Sequence, residues 1–540
     1  MSTREMRPQE EAQSEIPAKA SKTILSVVAT PTSEADKKAQ DESRLSPAGR
    51  FLDFVISRCE VFSAGDGRLY GVLRGQQHRA LPLGGSSGVI PVLALRFHAE
   101  SLNWPTAKSR ADALDYLSVR AAHAPGRAVV LRSSWSSGSG ELWLDLGDPK
   151  GTAMAVSSTG WHKVQSPPVV FRRVPTTASM NISPEPVDRA DALVRLKSLV
   201  PVQEADLPLL LALLLITWFD GVPQPILLWS GPRDSGKTMA ARFLLSVIDP
   251  TTHTRGGGLP SNEQAWKAQA NTAKVVLVDN AGHITPAMSD ILCRVSTGGE
   301  VTTRALYTDD TAHVTDLRIP VWLTSVDAGV LREDLATRVV KIELTPLDPG
   351  VRLAETELVR RQEEARPLIT RFLLDLLVEV LGWLPEQSTG GLKTRMGDFE
   401  QIVRCVDDIL GTHGTDRLGV MGLELGADVL ASDPVAQALI AGTGYRRRKQ
   451  GYHDHDEDKA DLLGERTPEG LLAALTHHAT DQVTRSPAWP RTAGVLSSHL
   501  NRIAPTLEQI HGIRVTTGLR EGKQRTRKTR IELVDGATHT

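Results

Sequence analysis

Along the chain the spacing of apolar and polar positions changes character several times, and each change marks a different kind of element. Residues 1–47 scatter Ser, Thr, Glu, Lys, Ala and Pro with almost no aromatic side chain. So little apolar surface cannot offset the entropy of ordering, which predicts a disordered tail. From Phe51 short β-like runs take over: Val61-Phe62, Leu69 to Leu73, Val89 to Phe97, Ala128 to Arg132, Glu141 to Leu146, Ala153 to Ser157 and Val169 to Arg172. One helical stretch, Ala107 to Ala122, interrupts them, so residues 48–165 read as an α+β domain. Pro-rich segments, Ser166 to Pro168 and Pro175 to Pro186, predict a linker over 166–189.

Beyond the linker the strands lose their alternation. Ile226 to Trp229, Val275 to Val278, Ile319 to Thr324 and Val339 to Leu344 are apolar throughout and are separated by helical segments, as a sheet covered on both faces requires. Residues 190–350 are therefore an α/β core. A helical domain follows over 351–445, with amphipathic stretches at Glu355 to Leu384 and Arg395 to Leu410. A polar linker at 446–466 leads to a compact unit at 467–540. The longest apolar run, Leu207 to Phe219, falls short of the ~20 residues that cross a bilayer and predicts a buried helix. The opening residues have no apolar stretch of a secretory signal, so a soluble, cytoplasmic, membrane-free protein is expected.

Charge narrows the functional classes. Lys and Arg number 62 against 64 Asp and Glu, a net charge of -2, so affinity for nucleic acid must come from a local patch. The three cysteines, Cys59, Cys293 and Cys405, form no CxxC pair, which argues against a disulfide framework and a cysteine zinc site. Asp145 and Asp148 lack the spacing of a polymerase metal pair and are explained by a turn after a strand. The run His453 to Asp458 is crowded into a polar linker and reads as a solvated loop.

The chemistry concentrates after the strand at Ile226. Gly231-Pro-Arg-Asp234-Ser235-Gly236-Lys237-Thr238 meets G-x-x-x-x-G-K-[ST] between a strand and a helix. Its glycines let backbone amides curl around a β-phosphate, Lys237 reaches the β and γ oxygens, and the Thr238 hydroxyl ligates Mg²⁺, so ATP and Mg²⁺ are the expected cofactors. Lys274-Val-Val-Leu-Val-Asp279 supplies the strand-end acid that holds the metal. Asn280 stands where motor ATPases usually carry a water-activating acid; Asn orients a water but cannot take its proton, leaving Asp290 and Glu300 as substitutes. The strand Ile319 to Thr324 ends in Thr324-Ser325, where a hydroxyl is placed to sense the γ-phosphate, with Ser325 the candidate. Arg338, one turn before the last core strand, is a candidate arginine finger, with an ion pair to Asp334 as the competing reading.

The run VDNAGHITPAMSDILCRVSTGGEVTTRALYTDD (Val278 to Asp310) and LTSVDAGVLREDLATRVVKIEL (Leu323 to Leu344) resembles the primase-helicase-like ATP-binding proteins of phages, plasmids and mobile elements, relatives of superfamily-three helicases. GWHKVQSPPVVFRR (Gly160 to Arg173) and RMGDF (Arg395 to Phe399) resemble flanking landmarks of the same group. The resemblance implies an AAA+-type P-loop ATPase that assembles as a ring, a hexamer, and works on DNA in replication, with Lys237, Thr238, Asp279 and Arg338 in the roles given. It also implies a basic hairpin for single-stranded DNA. Arg304 qualifies there, whereas the tip Tyr307 to Asp310 is acidic and repels phosphate.

At the C-terminus helices at Gly470 to His478, Ser497 to Ile503 and Pro505 to His511 precede a hairpin, the order of a winged helix. The hairpin carries Arg514, Arg520, Lys523, Arg525, Arg527, Lys528 and Arg530 with Glu521 against them, a footprint for DNA phosphates. The expected function is thus an ATP-dependent, DNA-acting protein, a replicative helicase or primase-associated ATPase, with DNA and a separate primase or other replication proteins as candidate partners. The alternative is a DNA-binding assembly factor whose oligomeric state is switched by ATP with little hydrolysis.

Overall fold

Edge-to-face contacts of Phe51 and Phe54 with Phe97, at centroid distances of 5.4 and 5.2 Å, tie together helix α1 (Pro47–Arg58) and helix α2 (Val89–Ser101). The computed structural model describes residues 46–282, 284–304, 312–325, 331–346, 350, 353–387, 389–444, 462–486, 488–521 and 526–534. The tail 1–45, the tip Tyr307 to Asp310, the run His453 to Asp458, Lys523 and Arg525 lie outside the described residues, as do the side chains of Glu300 and Arg304. The chain divides into two compact units, one of residues 1–58 and 90–116, the other of 59–89 and 117–540. In the first, residues 90–116 take in most of α2 and the start of α3 (Ala107–His123), and Arg58 donates to both carboxylate oxygens of Glu100 at 2.7 Å.

The run Val89 to Phe97, expected as a strand, is helical. Ile90, Leu93, Ala94 and Phe97 repeat at the helical spacing once the window extends to Ser101, a period that a short apolar run hides.

The second unit opens with β1 (Cys59–Ser63), β2 (Leu69–Leu73), β3 (Gln76–Pro82) and, after α3, β4 (Val129–Val130). An antiparallel meander follows: β5 (Ser133–Ser136), β6 (Glu141–Asp145), β7 (Ala153–Ser157) and β8 (Gly160–Val164). β9 (Val170–Arg172) then returns to the first sheet, in the order β1-β2-β3-β9-β4. The segment 166–189, expected as a linker, is woven into the fold. It holds β9, Met180 donates its amide to Leu146 O at 2.8 Å, and Ser183 donates to Pro367 O at 3.0 Å. Proline marked it as irregular, but irregular backbone can be packed.

Helix α4 (Arg189–Leu199) precedes α5 (Leu207–Ile216), whose residues are all buried, as a helix apolar on every side must be. β10 (Ile226–Ser230), α6 (Lys237–Ile248), α7 (Glu263–Ala270), β11 (Val276–Val278), α8 (Pro286–Thr297), the two-stranded ladder β12 (Glu300–Arg304) and β13 (Ala312–Asp316), β14 (Val321–Thr324), α9 (Glu333–Ala336) and β15 (Val339–Glu343) follow. Their central sheet runs β11-β14-β10-β15, every pair parallel. Helix α10 (Glu355–Trp383) lays Ile369, Phe372, Leu373, Leu376, Leu377 and Val380 into the same core that takes Leu142, Leu144, Met154 and Val156 of the meander. The meander therefore shares its core with the central sheet. Trp161 fixes it further, donating to Asp375 at 2.8 Å.

Helices α11 (Gly397–Leu410), α12 (Gly414–Ser432) and α13 (Pro434–Gly442) lead to a second core. Around it stand β16 (Gly464–Arg466), α14 (Pro468–His478), α15 (Asp481–Arg485), α16 (Ala493–His511), β17 (Ile513–Glu521) and β18 (Thr526–Leu533), with sheet order β16-β18-β17. The two helices expected at Ser497 and Pro505 are one. Pro505 is exposed and deprives the helix only of the amide that would bond the carbonyl of Asn501, itself at an exposed position. β16 likewise turns the end of the expected linker into an edge strand. Among the described residues no helix is long and apolar enough to cross a membrane, and Cys59, Cys293 and Cys405 are free and buried.

Candidate functional site

The loop between β10 and α6 is shaped by backbone that side chains resist. Gly231 has φ +138°, and a Cβ there would meet Leu344 O at 2.9 Å. Gly236, at φ +82°, is the residue from which α6 starts, and no side chain caps that helix. Other helices in the chain are capped, α4 by Asp188, α7 by Asn262 and α8 by Thr285. The first amides of α6 are thus left for an anion, which the helix dipole also favours. Asp234 lies in the left-handed region at φ +63° and is exposed, while Ser235 is buried. The Lys237 ammonium folds back on the loop, donating to Gly231 O at 2.9 Å, Pro232 O at 2.7 Å and Ser235 Oγ at 3.4 Å. Burial holds its pKa below the ordinary lysine value, against the pull of Asp234.

Strand order brings the acid to this loop. β14 lies between β10 and β11, so the carboxyl ends of β11 and β14 sit beside the start of α6. Asp279 Oδ1 accepts from Thr238 Oγ1 at 2.8 Å and from Thr324 Oγ1 at 2.7 Å, and Arg242 Nη2 stands 3.3 Å from Oδ2. Burial by itself would raise the Asp279 pKa; the hydrogen bonds from Thr324 and Thr238 and the charge of Arg242 outweigh it and hold the carboxyl below the usual range. Asn280 takes a left-handed backbone, φ +56°, donates its amide to Thr324 Oγ1 at 2.9 Å and leaves its side chain exposed. Asn tolerates that conformation better than most residues. The hard oxygens of Thr238 and Asp279, adjacent and with the carboxyl ionised, fit a divalent cation such as Mg²⁺.

Three other candidates are placed differently. Ser325 is buried and donates to Ala281 O at 2.8 Å, so the strand-end hydroxyl that meets the acid is that of Thr324. Arg338 is also buried, ion-paired with Asp334 at 2.8 Å and 3.5 Å from Cys293 Sγ. Its carbonyl accepts from Ile226 at the amino end of β10. At ~3.3 Å per strand residue, this is roughly 15 Å below the loop of its own chain. Asp290 is exposed and paired with Arg332 at 2.8 Å. Asp145, expected in a turn after a strand, is instead the last residue of β6, a buried acid that accepts from Arg173 Nε at 2.8 Å.

In the C-terminal sheet the basic residues divide into two sets. Arg514 pairs with Glu508 at 2.7 Å, and Lys528 and Arg530 both pair with Glu465 of β16, the former at 3.1 Å. Arg520 and Arg527 are exposed and stand directly opposite each other across β17 and β18. Like charges in that position repel unless an anion joins them. Arg527 also borders a groove of about 560 Å³ that takes in Ser497, Ser498 and Asn501 of α16 and Thr517 and Gly518 of β17.

Two sequence families match the chain: residues 190–418 match the actinomycete integrative conjugative element replication proteins, and residues 436–539 the C-terminal domain of that replication protein. The chain belongs to this family. No curated protein matches it. Among solved structures this replication protein is similar to the active helicase Cch of SCCmec type IV, with 12% identity, 88% of this chain and 93% of that chain covered, and a TM-score of 0.39. It is also similar to the apo C-terminal region of NrS-1, at 9% identity, 90% and 100% coverage and a TM-score of 0.38. The JCV helicase matches 44% of this chain and 64% of its own, at 14% identity and a TM-score of 0.22.

Within the replication protein the family matches leave out residues 46–189, which hold the first sheet and the meander. Of the strand-end pair Thr324-Ser325 the sequence favoured the wrong hydroxyl, and Arg242, the buried pair Arg132–Asp249 at 2.8 Å, and Glu465 escaped it altogether. Arg242 had a signal, since it lies one helical turn after Thr238 and shares its face. The others are joined by tertiary pairing alone.

Proposed function

We propose that this replication protein of a mobile element is a P-loop ATPase that acts on DNA, hydrolysing ATP with Mg²⁺ as a helicase or primase-associated motor. One observation carries the reading: uncapped amides of α6, the Lys237 ammonium and the Thr238–Asp279–Thr324 cluster converge at the carboxyl edge of one parallel sheet. That arrangement offers donors to a triphosphate, a cation to its β and γ oxygens and an ionised oxygen pair to a metal. In this reading the core is AAA+-like and forms a homo-oligomeric ring, and the C-terminal unit is a winged helix that grips DNA through Arg520, Arg527 and the hairpin tip. A separate primase or another replication protein is the candidate partner, in the cytoplasm.

Arg338 cannot serve its own chain's loop from the amino edge of the sheet, so a finger role is a role toward a neighbour and requires the pair with Asp334 to open. Arg338→Ala then abolishes turnover while ATP binding persists, and mixing with Lys237→Ala subunits restores turnover. If Arg338 is only structural, the variant lowers the melting temperature and mixing restores nothing.

Asn280 favours a second reading, in which ATP binding sets the oligomeric state of a DNA-binding factor. Steady-state hydrolysis with and without single-stranded DNA, with Lys237→Ala as blank, separates the two. DNA-stimulated turnover supports the motor; ATP binding with no turnover moves the assignment to the switch; ATP binding unaltered by Lys237→Ala removes the phosphate-loop reading.

A further inference from the structure

At the opposite, amino edge of the central sheet lies a cleft of about 530 Å³, within the range of small-ligand sites. Residues leading into β10, β11 and β14 form one wall; the turn after β1, β4 and Arg172 of β9 form the other. Three cations, Lys274, Arg172 and Arg318, line it against two carboxylates, Asp66 and Asp220.

Most of these groups are already engaged. Asp220 accepts from Ser134 Oγ at 3.2 Å and from the amide of Trp135, and Asp66 pairs with Arg68 at 3.4 Å. Arg172 donates to Asn271 O at 2.5 Å and Arg318 to Gly221 O. Lys274 differs. Its amide donates to Asp249 Oδ2 at 3.2 Å, yet among the described residues its ammonium has no hydrogen bond or ion pair. Asp249 is meanwhile satisfied by Arg132 and Arg255.

One further lining donor lacks a partner. Ser133 Oγ is a buried hydroxyl with none, in a residue 0% exposed. Native interiors seldom leave such groups bare without a ligand or water to meet them.

We propose that this cleft is a second anion site of the replication protein, separate from the loop at Lys237, and that it binds a phosphoryl group through the Lys274 ammonium. The phosphoryl group comes either from a free phosphorylated metabolite or from a single-stranded DNA backbone; the chemistry of recognition is the same. Burial depresses the Lys274 pKa, against the pull of Asp220 and Asp249, and an anion beside the ammonium acts in the opposite sense.

The test uses the full chain with Lys237→Ala, which silences the loop, and compares it with Lys237→Ala/Lys274→Met. Pyrophosphate binding is measured by calorimetry, oligo(dT) binding by fluorescence anisotropy, and folding by melting temperature. The proposal expects residual pyrophosphate binding in the first chain that falls roughly tenfold or more in the second, as loss of a charge-assisted bond implies. It also expects a melting temperature that holds, because removing the Lys274 ammonium breaks no hydrogen bond or ion pair among the described residues. Oligo(dT) displaced by pyrophosphate identifies DNA as the source; oligo(dT) binding indifferent to Lys274 identifies a free phosphate. No residual binding, residual binding indifferent to Lys274→Met, or a melting temperature lowered by several degrees overturns the proposal, the last by making Lys274 a structural counter-charge. Equal pyrophosphate affinity in wild type and Lys237→Ala refutes the loop reading instead and leaves this one standing.

Discussion

Replacing Thr324 by valine keeps the shape of a residue that is 2% exposed and removes one hydroxyl with two duties. As donor, it bonds Asp279 Oδ1 at 2.7 Å; as acceptor, it takes the Asn280 amide at 2.9 Å. A bond to an ionised carboxylate is worth about 1.5–3 kcal/mol, and an amide left without a partner costs about 1–3 kcal/mol. Asp279 keeps its bond from Thr238, so it is loosened rather than lost. If half of the smaller figure reaches the metal site, the Mg²⁺ concentration for half-maximal ATP hydrolysis rises about threefold; if all of it does, about tenfold. The assay is a Mg²⁺ titration of turnover at saturating ATP, beside a melting curve. Thr324→Ser restores the hydroxyl and the wild-type titration. Ser325→Ala removes the neighbouring hydroxyl, which bonds only Ala281 O, and leaves the titration unmoved. A wild-type Mg²⁺ curve for Thr324→Val, or an equal shift for Ser325→Ala, refutes the claim that Thr324 positions the acid.

Other outcomes follow from the same geometry. Because Asp279 is held below its ordinary pKa, its contribution to stability is present above the unfolded value and is lost as pH falls through the folded one; the difference in melting temperature between wild type and Asp279→Asn therefore stays constant from pH 8 to about 5 and shrinks below about 4, and a gap that widens on acidification contradicts the sign. At Asn280, φ +56° makes the change to valine cost roughly 1–2 kcal/mol in urea unfolding, whereas Asn280→Asp, which tolerates the same backbone, preserves stability. Glu465→Gln removes the carboxylate that pairs with Lys528 and Arg530 and tightens DNA binding in anisotropy titrations, with a steeper salt slope. Arg527→Ala weakens it and flattens the slope by about one; unaltered slopes in both variants would remove the hairpin from the DNA interface.

The division between what the chain discloses in sequence and what it withholds follows the range of the interactions. The loop from Gly231 to Thr238 was legible because its glycines, lysine and hydroxyl act within one turn of backbone. The central strands were legible because a sheet covered on both faces leaves no polar position to blur them. Thr324 and Ser325 could not be told apart, since which of two adjacent hydroxyls faces Asp279 depends on the strand's rotation within β11-β14-β10, and that is fixed by pairing. The basic hairpin misled for the same reason. Seven cations near one Glu suggested an unopposed patch, but Glu465 reaches Arg530 from 65 positions away by adding β16 to the sheet. Arg338 is the sharpest case: the sequence offered a finger toward a neighbouring subunit or an ion pair with Asp334 as alternatives, and only burial at the amino edge of β15 shows that the pair with Asp334 must break before the finger can act on another subunit. A charge pattern thus sets which residues are able to meet an anion, and the tertiary partners decide which of them are left free to do so.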